Sequence, residues 1–175
     1  KHYEQIAPTI YALTAAIDAK DSYTFEHSCH VSDYAVLLAK KIGLLPDDIE
    51  IVKEAGLLHD IGKIGIPESI LKKQGRLNAE EYEIMKTHVT NSIETIHFLP
   101  NMNYVIPAVL SHHERYDGKG YPRGLKGEDI PLLGRILAVC DSFDAMTTKR
   151  SYKEAMPVDY AISELERNKG TQFDP

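Results

Sequence analysis

The 175-residue chain has no tryptophan, only two cysteines and no long run of apolar residues. A membrane-spanning helix needs roughly 20 consecutive apolar residues, so we expect no membrane segment in this chain. Cys29 and Cys140 form no C-x-x-C motif, which excludes the common thiolate metal and redox motifs and is typical of reduced thiols in a cytoplasmic protein. Because the sequence begins at Lys1, we expect it to be part of a longer chain.

An excess of positive charge is also missing. The net charge is −6, which argues against a protein that binds nucleic-acid polymers. Residues 112–153 are the exception, because eight Lys and Arg stand there against six Asp and Glu. This segment therefore carries +2 and the rest of the chain −8, so we expect an anionic ligand to bind in the later segment.

The alternation of apolar and polar residues that marks a half-buried strand is absent, and apolar residues recur at helical spacing. Two such faces are Ile6, Ile10, Leu13 and Ile17, and Val31, Tyr34, Leu38 and Ile42. We predict an all-α fold with helices over 2–20, 24–41, from Pro46, and over 78–96, 102–113, 132–146 and 157–168. Residues 1–20 form an N-terminal helix that could end a linker from an upstream domain, and residues 21–175 form one domain.

Two helix starts have clear signals. Pro46 precedes Asp47 and Asp48, which places carboxylates at the positive end of the helix dipole. Asn78 has Glu81 three residues later, the spacing of a capping box.

Five of the eight histidines have a regular spacing. From His27 to His59 is 32 residues, then 29 to His88 and 24 to His112, and from His113 to Asp141 is 28. A lone histidine is more often a satisfied or exposed side chain than a ligand. Each of these intervals, however, corresponds to about one helix, one loop and part of a return helix. Side chains spaced in this way can converge from several helices on a metal site in a bundle core.

The segment LLHDIGKIG places His59 and Asp60 in an otherwise apolar run, with Lys63 on the same predicted helix face. A buried carboxylate is costly unless it is paired or binds a metal. The alternative is an Asp60–Lys63 ion pair with His59 packed against it. As a metal ligand, Asp60 could bridge two ions ~3.5–4 Å apart, the spacing of two-metal hydrolytic sites.

The adjacent residues His112 and His113 point about 100° apart if both are helical, so they can bind one ion only near a helix end. Asp117 and Gly118 begin a loop directly after them. Nitrogen and carboxylate ligands without thiolate suit Fe, Mn, Zn or Co better than Mg or Ca.

Together these stretches resemble the HD-GYP domain, a branch of the HD-superfamily metal-dependent phosphohydrolases. The motifs that carry the resemblance are YTFEHSCHV, LLHDIGKIGIPESIL, MKTHV, SHHERYDGKGYPRGLKGEDIP, RILAVCDSFDAMTTKRSYKEAM and GTQFDP. They extend from about residue 20 to Pro175. H-D alone is a weak signal, whereas H-D-x-G-K combined with H-H-E-x-x-D-G-x-G-Y-P is very specific.

The resemblance implies a helical bundle of the HD phosphohydrolase type with a metal site in its core, and residues 21–175 as the catalytic domain. It implies hydrolysis of cyclic di-GMP to pGpG, and in family members often onward to GMP, with two or three divalent ions, Fe or Mn first and Zn, Co or Ni as alternatives. On the family pattern one metal is bound by His27, His59, Asp60 and Asp141, and the other by Asp60, His88, His112 and His113. A hydroxide between the ions would attack phosphorus in line with the leaving 3′-oxygen.

The resemblance also implies roles around the metals. Asp60 and Lys63 would be the catalytic residues, and the substrate contacts would be Lys63 at the scissile phosphate, Tyr121 against a guanine, and Arg150, Lys153 and Asp21 at phosphates or bases. We expect Gly118 and Gly120 to adopt backbone angles closed to other residues, which would hold Tyr121 at the pocket mouth. We expect Asp144 and Glu114 to orient ligands, and His2, His30 and His97 to lie outside the site.

Other interpretations remain open. The chain could bind cyclic di-GMP, or a GGDEF-domain protein, without useful turnover, or it could be a general HD nucleotidase. The N-terminal helix could pair with a second copy in a homodimer. Some members that resemble this family hold a third ion with a carboxylate four residues before the first ligand histidine, but that position is Tyr23 here. A phenol with a pKa near ~10 is a poor ligand at pH 7, so we predict two ions.

Overall fold

The computed structural model describes residues 3–18, 24–149 and 153–175, and within these residues it is helical without a β-sheet. The helices are α1 (Tyr3–Asp18), α2 (Thr24–Lys41), α3 (Pro46–Leu58), α4 (Glu68–Leu71), α5 (Ala79–Lys86), α6 (His88–His97), α7 (Ile106–Ser111), α8 (Leu132–Thr147) and α9 (Val158–Arg167). Short 3-10 turns lie at Ile61–Gly65, Asn103–Val105 and Gly127–Asp129. The predicted all-α class is confirmed.

The hydrophobic core is enclosed by α2, α3, α7 and α8, which pack against one another. Val31, Val52, Leu58, Val109 and Leu137, one or two from each of these helices, are fully buried in it. In the part of the chain that the structure describes, no helix is long and apolar enough to cross a bilayer.

The first helix joins the same core. Ile10 and Ile17 are buried where α1 packs against α2 and α3, as their spacing predicts, and the side chain of Ile6 is not described. Ile42 does not continue the buried face of α2. It is 50% exposed because α2 ends at Lys41. The proposed division into a linker helix and residues 21–175 stays a prediction.

Both predicted helix starts are confirmed. Pro46 occupies the first turn of α3, where its missing N–H costs nothing, and Asp47 and Asp48 follow. At α5 the Glu81 N–H donates to Asn78 Oδ1 at 2.8 Å, and the Asn78 N–H donates to Glu81 Oε2 at 2.9 Å. These two bonds satisfy backbone donors that have no partner inside the helix.

The single helix predicted over 78–96 is wrong, because the chain divides into α5 and α6 at Thr87. The start of α6 lies against the 3-10 turn that follows Asp60. The Gly62 N–H donates to Ser92 Oγ at 2.8 Å, and a Cβ on Gly62 would lie 2.0 Å from the His88 carbonyl oxygen. Only glycine permits this approach, which brings Asp60 next to His88.

The helix predicted over 102–113 is shorter than expected. It begins with the 3-10 turn Asn103–Val105, and α7 ends at Ser111. His112 therefore follows the last helical residue, the helix end that two adjacent ligands require.

Candidate metal centre

Seven side chains predicted as metal ligands lie together in the bundle. They form two groups, His27, His59 and Asp141, and Asp60, His88, His112 and His113. In each group one ligand atom per residue lies within 4.8 Å of the others. The structure thus brings these residues together, with Asp60 in the second group although it was predicted for both, while their role as ligands remains a proposal.

Different elements supply the cluster. His27 lies on α2, His59 and Asp60 follow α3, His88 begins α6, the histidine pair follows α7, and Asp141 lies on α8. Since each element contributes only one or two side chains, the site depends on the packing of the whole bundle.

Asp60 lies between the two groups and is 3% exposed. Its Oδ2 is 3.3 Å from His59 Nε2 and 3.6 Å from His27 Nε2. Its Oδ1 is 3.4 Å from His88 Nε2. The two oxygens therefore face different groups, which is the arrangement that a bridging carboxylate needs.

Three imidazoles are held by the same local contact, in which Nδ1 lies against the backbone carbonyl three residues earlier. The pairs are His59 with Gly56 O at 2.6 Å, His88 with Met85 O at 2.7 Å, and His112 with Val109 O at 2.5 Å. A carbonyl can only accept a hydrogen bond, so Nδ1 carries a proton and Nε2 is the nitrogen left to bind a cation.

Those three Nε2 atoms are buried and have no hydrogen-bond partner. Buried polar atoms are almost always satisfied, so three such nitrogens beside a buried carboxylate require an explanation. A divalent cation fits the donor set, because imidazole nitrogens and carboxylate oxygens are ligands for Fe, Mn, Zn and Co. Cys140 adds no thiolate, since burial raises the pKa of its thiol to about 12.

The two carboxylates of the cluster are ionised. Burial by itself would raise the pKa of Asp60, but His59 and Lys63 outweigh burial and hold this pKa well below its ordinary value. Burial would likewise raise the pKa of Asp141, but its contacts with His27 and His59 hold this pKa well below its ordinary value. Two negative charges in the core therefore require cations nearby.

The histidines differ in protonation. Burial and the neighbouring His113 and His59 hold the pKa of His112 well below its ordinary value, and burial lowers the pKa of His113 to about 4. Both are therefore neutral at pH 7 and able to bind a metal. Burial lowers the pKa of His59 too, but Asp60 and Asp141 raise it to about 10, so a bound cation would displace a proton there.

Asp144 contacts a ligand candidate, as predicted. Its Oδ2 accepts from His27 Nδ1 at 2.6 Å, and its Oδ1 lies 2.9 Å from both His30 Nδ1 and Thr148 Oγ1. Sequence reasoning missed His30, which lies one helical turn after His27 and reaches the carboxylate from the outer side. Asp144 thereby orients His27 toward Asp141, whose Oδ1 is 2.9 Å from His27 Nε2.

We expect Asp144→Asn to weaken metal binding roughly tenfold, the lower end of what the loss of such an orienting group costs, because the amide still offers one acceptor oxygen. The measurement is a competition titration with a chelator, with Asp159→Asn as the control because Asp159 is exposed in the first turn of α9. Equal affinities in the two variants would contradict the orienting role.

Lys63 lies 2.9 Å from Asp60 Oδ2, so the ion pair considered as an alternative is present. The helix predicted through this segment is not continuous, since α3 ends at Leu58 and Lys63 belongs to a 3-10 turn. The pair leaves the Nε2 atoms of His59, His88 and His112 unsatisfied, and it therefore does not account for the cluster.

The loop over 114–130 places Tyr121 on the cluster. The ring of Tyr121 stacks on His113, with centroids 4.9 Å apart and planes 15° apart. Gly118 has φ +82°, as expected, but Gly120 does not have a positive φ. Gly120 is required for space instead, because a Cβ there would lie 2.4 Å from Arg115 N and 2.5 Å from His113 O.

Glu114 does not orient a ligand in the way we predicted. The buried carboxylate accepts from the Arg123 N–H at 2.7 Å and the Leu125 N–H at 3.0 Å, so it fixes the far side of the loop. The part of the loop before Tyr121 is bound to the C-terminal segment, because the Asp117 N–H donates to Thr171 O at 2.7 Å.

Six predicted residues remain to be located. Asp21, Tyr23, Arg150 and His2 are outside the described residues. Lys153 and His97 are exposed. The substrate roles of Asp21, Arg150 and Lys153 therefore stay predictions.

Comparison with known proteins finds relatives over most of the chain. A family model described as HD domain matches residues 12–175. The cyclic di-GMP phosphodiesterase response regulator RpfG of Xanthomonas campestris is 41% identical over 174 residues, which cover 98% of this chain and 46% of that protein. The 3′3′-cGAMP-specific phosphodiesterase 2 of Vibrio cholerae is 40% identical over 95% of this chain and 32% of that protein. The chain thus spans less than half the length of these relatives.

The fold also has counterparts among solved structures. The crystal structure of a cyclic GMP-AMP-specific phosphodiesterase of V. cholerae, V-cGAP3, matches with a TM-score of 0.73 at 21% identity, over 95% of this chain and 45% of that one. At this identity the match supports the fold and not the substrate.

Proposed function

The chain belongs to the HD domain family, and on that premise we propose that it is a metal-dependent phosphodiesterase that hydrolyses cyclic di-GMP. The observation that carries the proposal is the set of three buried Nε2 atoms that lack partners next to Asp60. The names of relatives about 40% identical, which are phosphodiesterases of cyclic dinucleotides, support the substrate class.

Two groups of ligands would hold the metals. We propose His27, His59, Asp60 and Asp141 for one ion, and Asp60, His88, His112 and His113 for the other. Bound there, divalent ions such as Fe or Mn, with Zn, Co or Ni as alternatives, would supply Lewis acidity and a water of lowered pKa.

The chain's own residues would prepare the substrate. Lys63 already presents its ammonium to Asp60 Oδ2, and a non-bridging phosphate oxygen arriving there would receive the same donor. Tyr121 would hold a base on the ring face that is turned away from His113, and Asp144 would hold His27 in the correct tautomer. We propose pGpG as the first product and GMP as the second.

We predict two ions and no third. Glu26, the nearest carboxylate before His27, has a 69% exposed side chain and lies 3.9 Å from His30 Nε2, outside both groups of ligands. The check is anomalous diffraction at the metal absorption edge of anaerobically prepared protein. A third fully occupied peak coordinated by Tyr23 or Glu26 would contradict this number.

The activity is tested with metal-loaded protein. Cyclic di-GMP is incubated with the protein and Mn or Fe(II), and pGpG and GMP are followed by chromatography. Binding of cyclic di-GMP without turnover would favour the alternative of a sensor or a module that contacts a GGDEF-domain protein. Turnover of linear phosphate esters alone would favour a general nucleotidase. A parallel reaction with 3′3′-cGAMP is required, because some relatives are named as specific for it.

The location and assembly stay proposals as well. We propose a cytoplasmic protein that acts on a small nucleotide, with a homodimer formed through the N-terminal helix. Sedimentation of this chain with and without residues 1–18 tests the dimer, and the shorter chain is first checked for its helix content and thermal unfolding.

A further inference from the structure

Two residues of α5 contact the same ring that covers the metal cluster. The rings of Tyr82 and Tyr121 meet edge to face, with centroids 6.3 Å apart at 84°. Lys86 Nζ lies 5.4 Å from the ring centroid of Tyr82 and 5.7 Å from that of Tyr121. Neither Tyr82 nor Lys86 has a role in the function proposed above.

The side chain of Lys86 is less exposed to solvent than those of two other lysines in i,i+3 ion pairs. Its side chain is 26% exposed and bonds to Glu83 Oε1 at 2.7 Å. Lys53 and Lys169 make the same i,i+3 ion pair, yet their side chains are 44% and 46% exposed. The additional cover at Lys86 comes from the two aromatic rings, which attract the ammonium through their π-faces. The ammonium of Lys86 is therefore held beside Tyr121.

The ring of Tyr121 has one face against His113. A base that stacks on Tyr121 must therefore use the other face, which Lys86 Nζ lies over. Such a base would displace the ammonium from the ring to the edge of the base, which the flexible lysine side chain can reach. If the proposed function is correct and the base turns its N7 and position-6 edge toward Lys86, the lysine contacts the part of the substrate that distinguishes guanine from adenine.

We propose that Lys86 is a specificity-determining residue that selects a guanine at the position next to Tyr121. Guanine presents two acceptors on this edge, N7 and O6, whereas adenine presents the N7 acceptor and the N6 amino donor. The lysine ammonium has three donors and no acceptor. Lys86 therefore stabilises a bound guanine, and it has no acceptor for the amino group of adenine. Tyr82 positions the lysine side chain.

The test compares cyclic di-GMP, 3′3′-cGAMP and cyclic di-AMP on metal-loaded protein. Each is measured by kcat/KM, or by its inhibition constant where turnover is too slow. Lys86→Met keeps the apolar stem on the rings and removes the donors. The matched control is Lys53→Met, which breaks an ion pair of the same spacing on α3 in a groove that contains no residue of the cluster.

We expect Lys86→Met to reduce the preference for cyclic di-GMP over cyclic di-AMP roughly tenfold, the order of discrimination that one good base contact provides. The control should leave this ratio unchanged, and Tyr82→Ala should shift it in the same direction by a smaller factor.

An equal loss on all three nucleotides would overturn base selection and assign Lys86 to a phosphate. An unchanged ratio would overturn the inference while the proposed function stands. Failure of the unchanged protein to hydrolyse any cyclic dinucleotide would instead refute the proposed function, and retained binding of the three nucleotides would still allow Lys86 to be tested by their dissociation constants.

Discussion

Asp60→Asn is expected to abolish hydrolysis of cyclic di-GMP and to remove most of the bound metal. Its two oxygens face separate groups of ligands, so the substitution weakens both proposed metal sites together. We expect kcat/KM to fall on the order of a thousandfold or more, as for other groups on which a catalytic site depends as a unit. Asparagine has nearly the same shape, which keeps the packing around residue 60.

The measurement combines metal content by mass spectrometry with kcat/KM, and thermal unfolding confirms that the variant is folded. Asp159→Asn serves again as the control, since its carboxylate is exposed on α9. A folded Asp60→Asn protein with two ions and normal turnover would refute the bridging role.

Tyr121→Ala is expected to lower kcat/KM for cyclic di-GMP by roughly ten- to a hundredfold, because stacking of one base on an aromatic ring contributes ~1–3 kcal/mol. The metal content should not change, since Tyr121 contacts His113 through its ring face and belongs to neither group of ligands. Tyr121→Phe keeps the ring and is expected to retain most of the activity.

The same kinetics and metal analysis apply to both Tyr121 variants. Unchanged kinetics in Tyr121→Ala would exclude the stacking role. Loss of metal in this variant would show instead that the ring mainly holds His113 in place.

The positions of the ligand candidates could be predicted from the sequence because their spacing reflects local structure. An interval of about 30 residues suits a helix, a turn and a return, and α2 and α3 fill the interval from His27 to His59 in this way. From His59 to His88 the chain instead forms a 3-10 turn, α4 and α5. A helix end near the histidine pair was predictable too, since Asp117 and Gly118 indicate a loop, although the predicted end at 113 lies two residues beyond Ser111. Local signals at Asn78 and Pro46 located two helix starts correctly.

The break at Thr87 could not be predicted, because both sides of it have helical patterns and its cause is the contact between Gly62 and the start of α6. The role of Glu114 could not be predicted either. Its neighbours in sequence are ligand candidates, but its carboxylate bonds to backbone groups nine and eleven residues later. Lys86 gave no signal at all, since the contact between α5 and the loop exists only in the folded chain.

The loop that carries Tyr121 is fastened at both ends, by Glu114 on one side and by the bond between Asp117 and the C-terminal segment on the other. Immobilising a flexible residue costs roughly 1–2 kcal/mol of conformational entropy. Here that loss occurs during folding, before any nucleotide arrives, so the free energy of the stacking contact goes into affinity instead of into ordering the loop. Substitutions in the C-terminal GTQFDP segment should therefore weaken nucleotide binding without contacting the nucleotide.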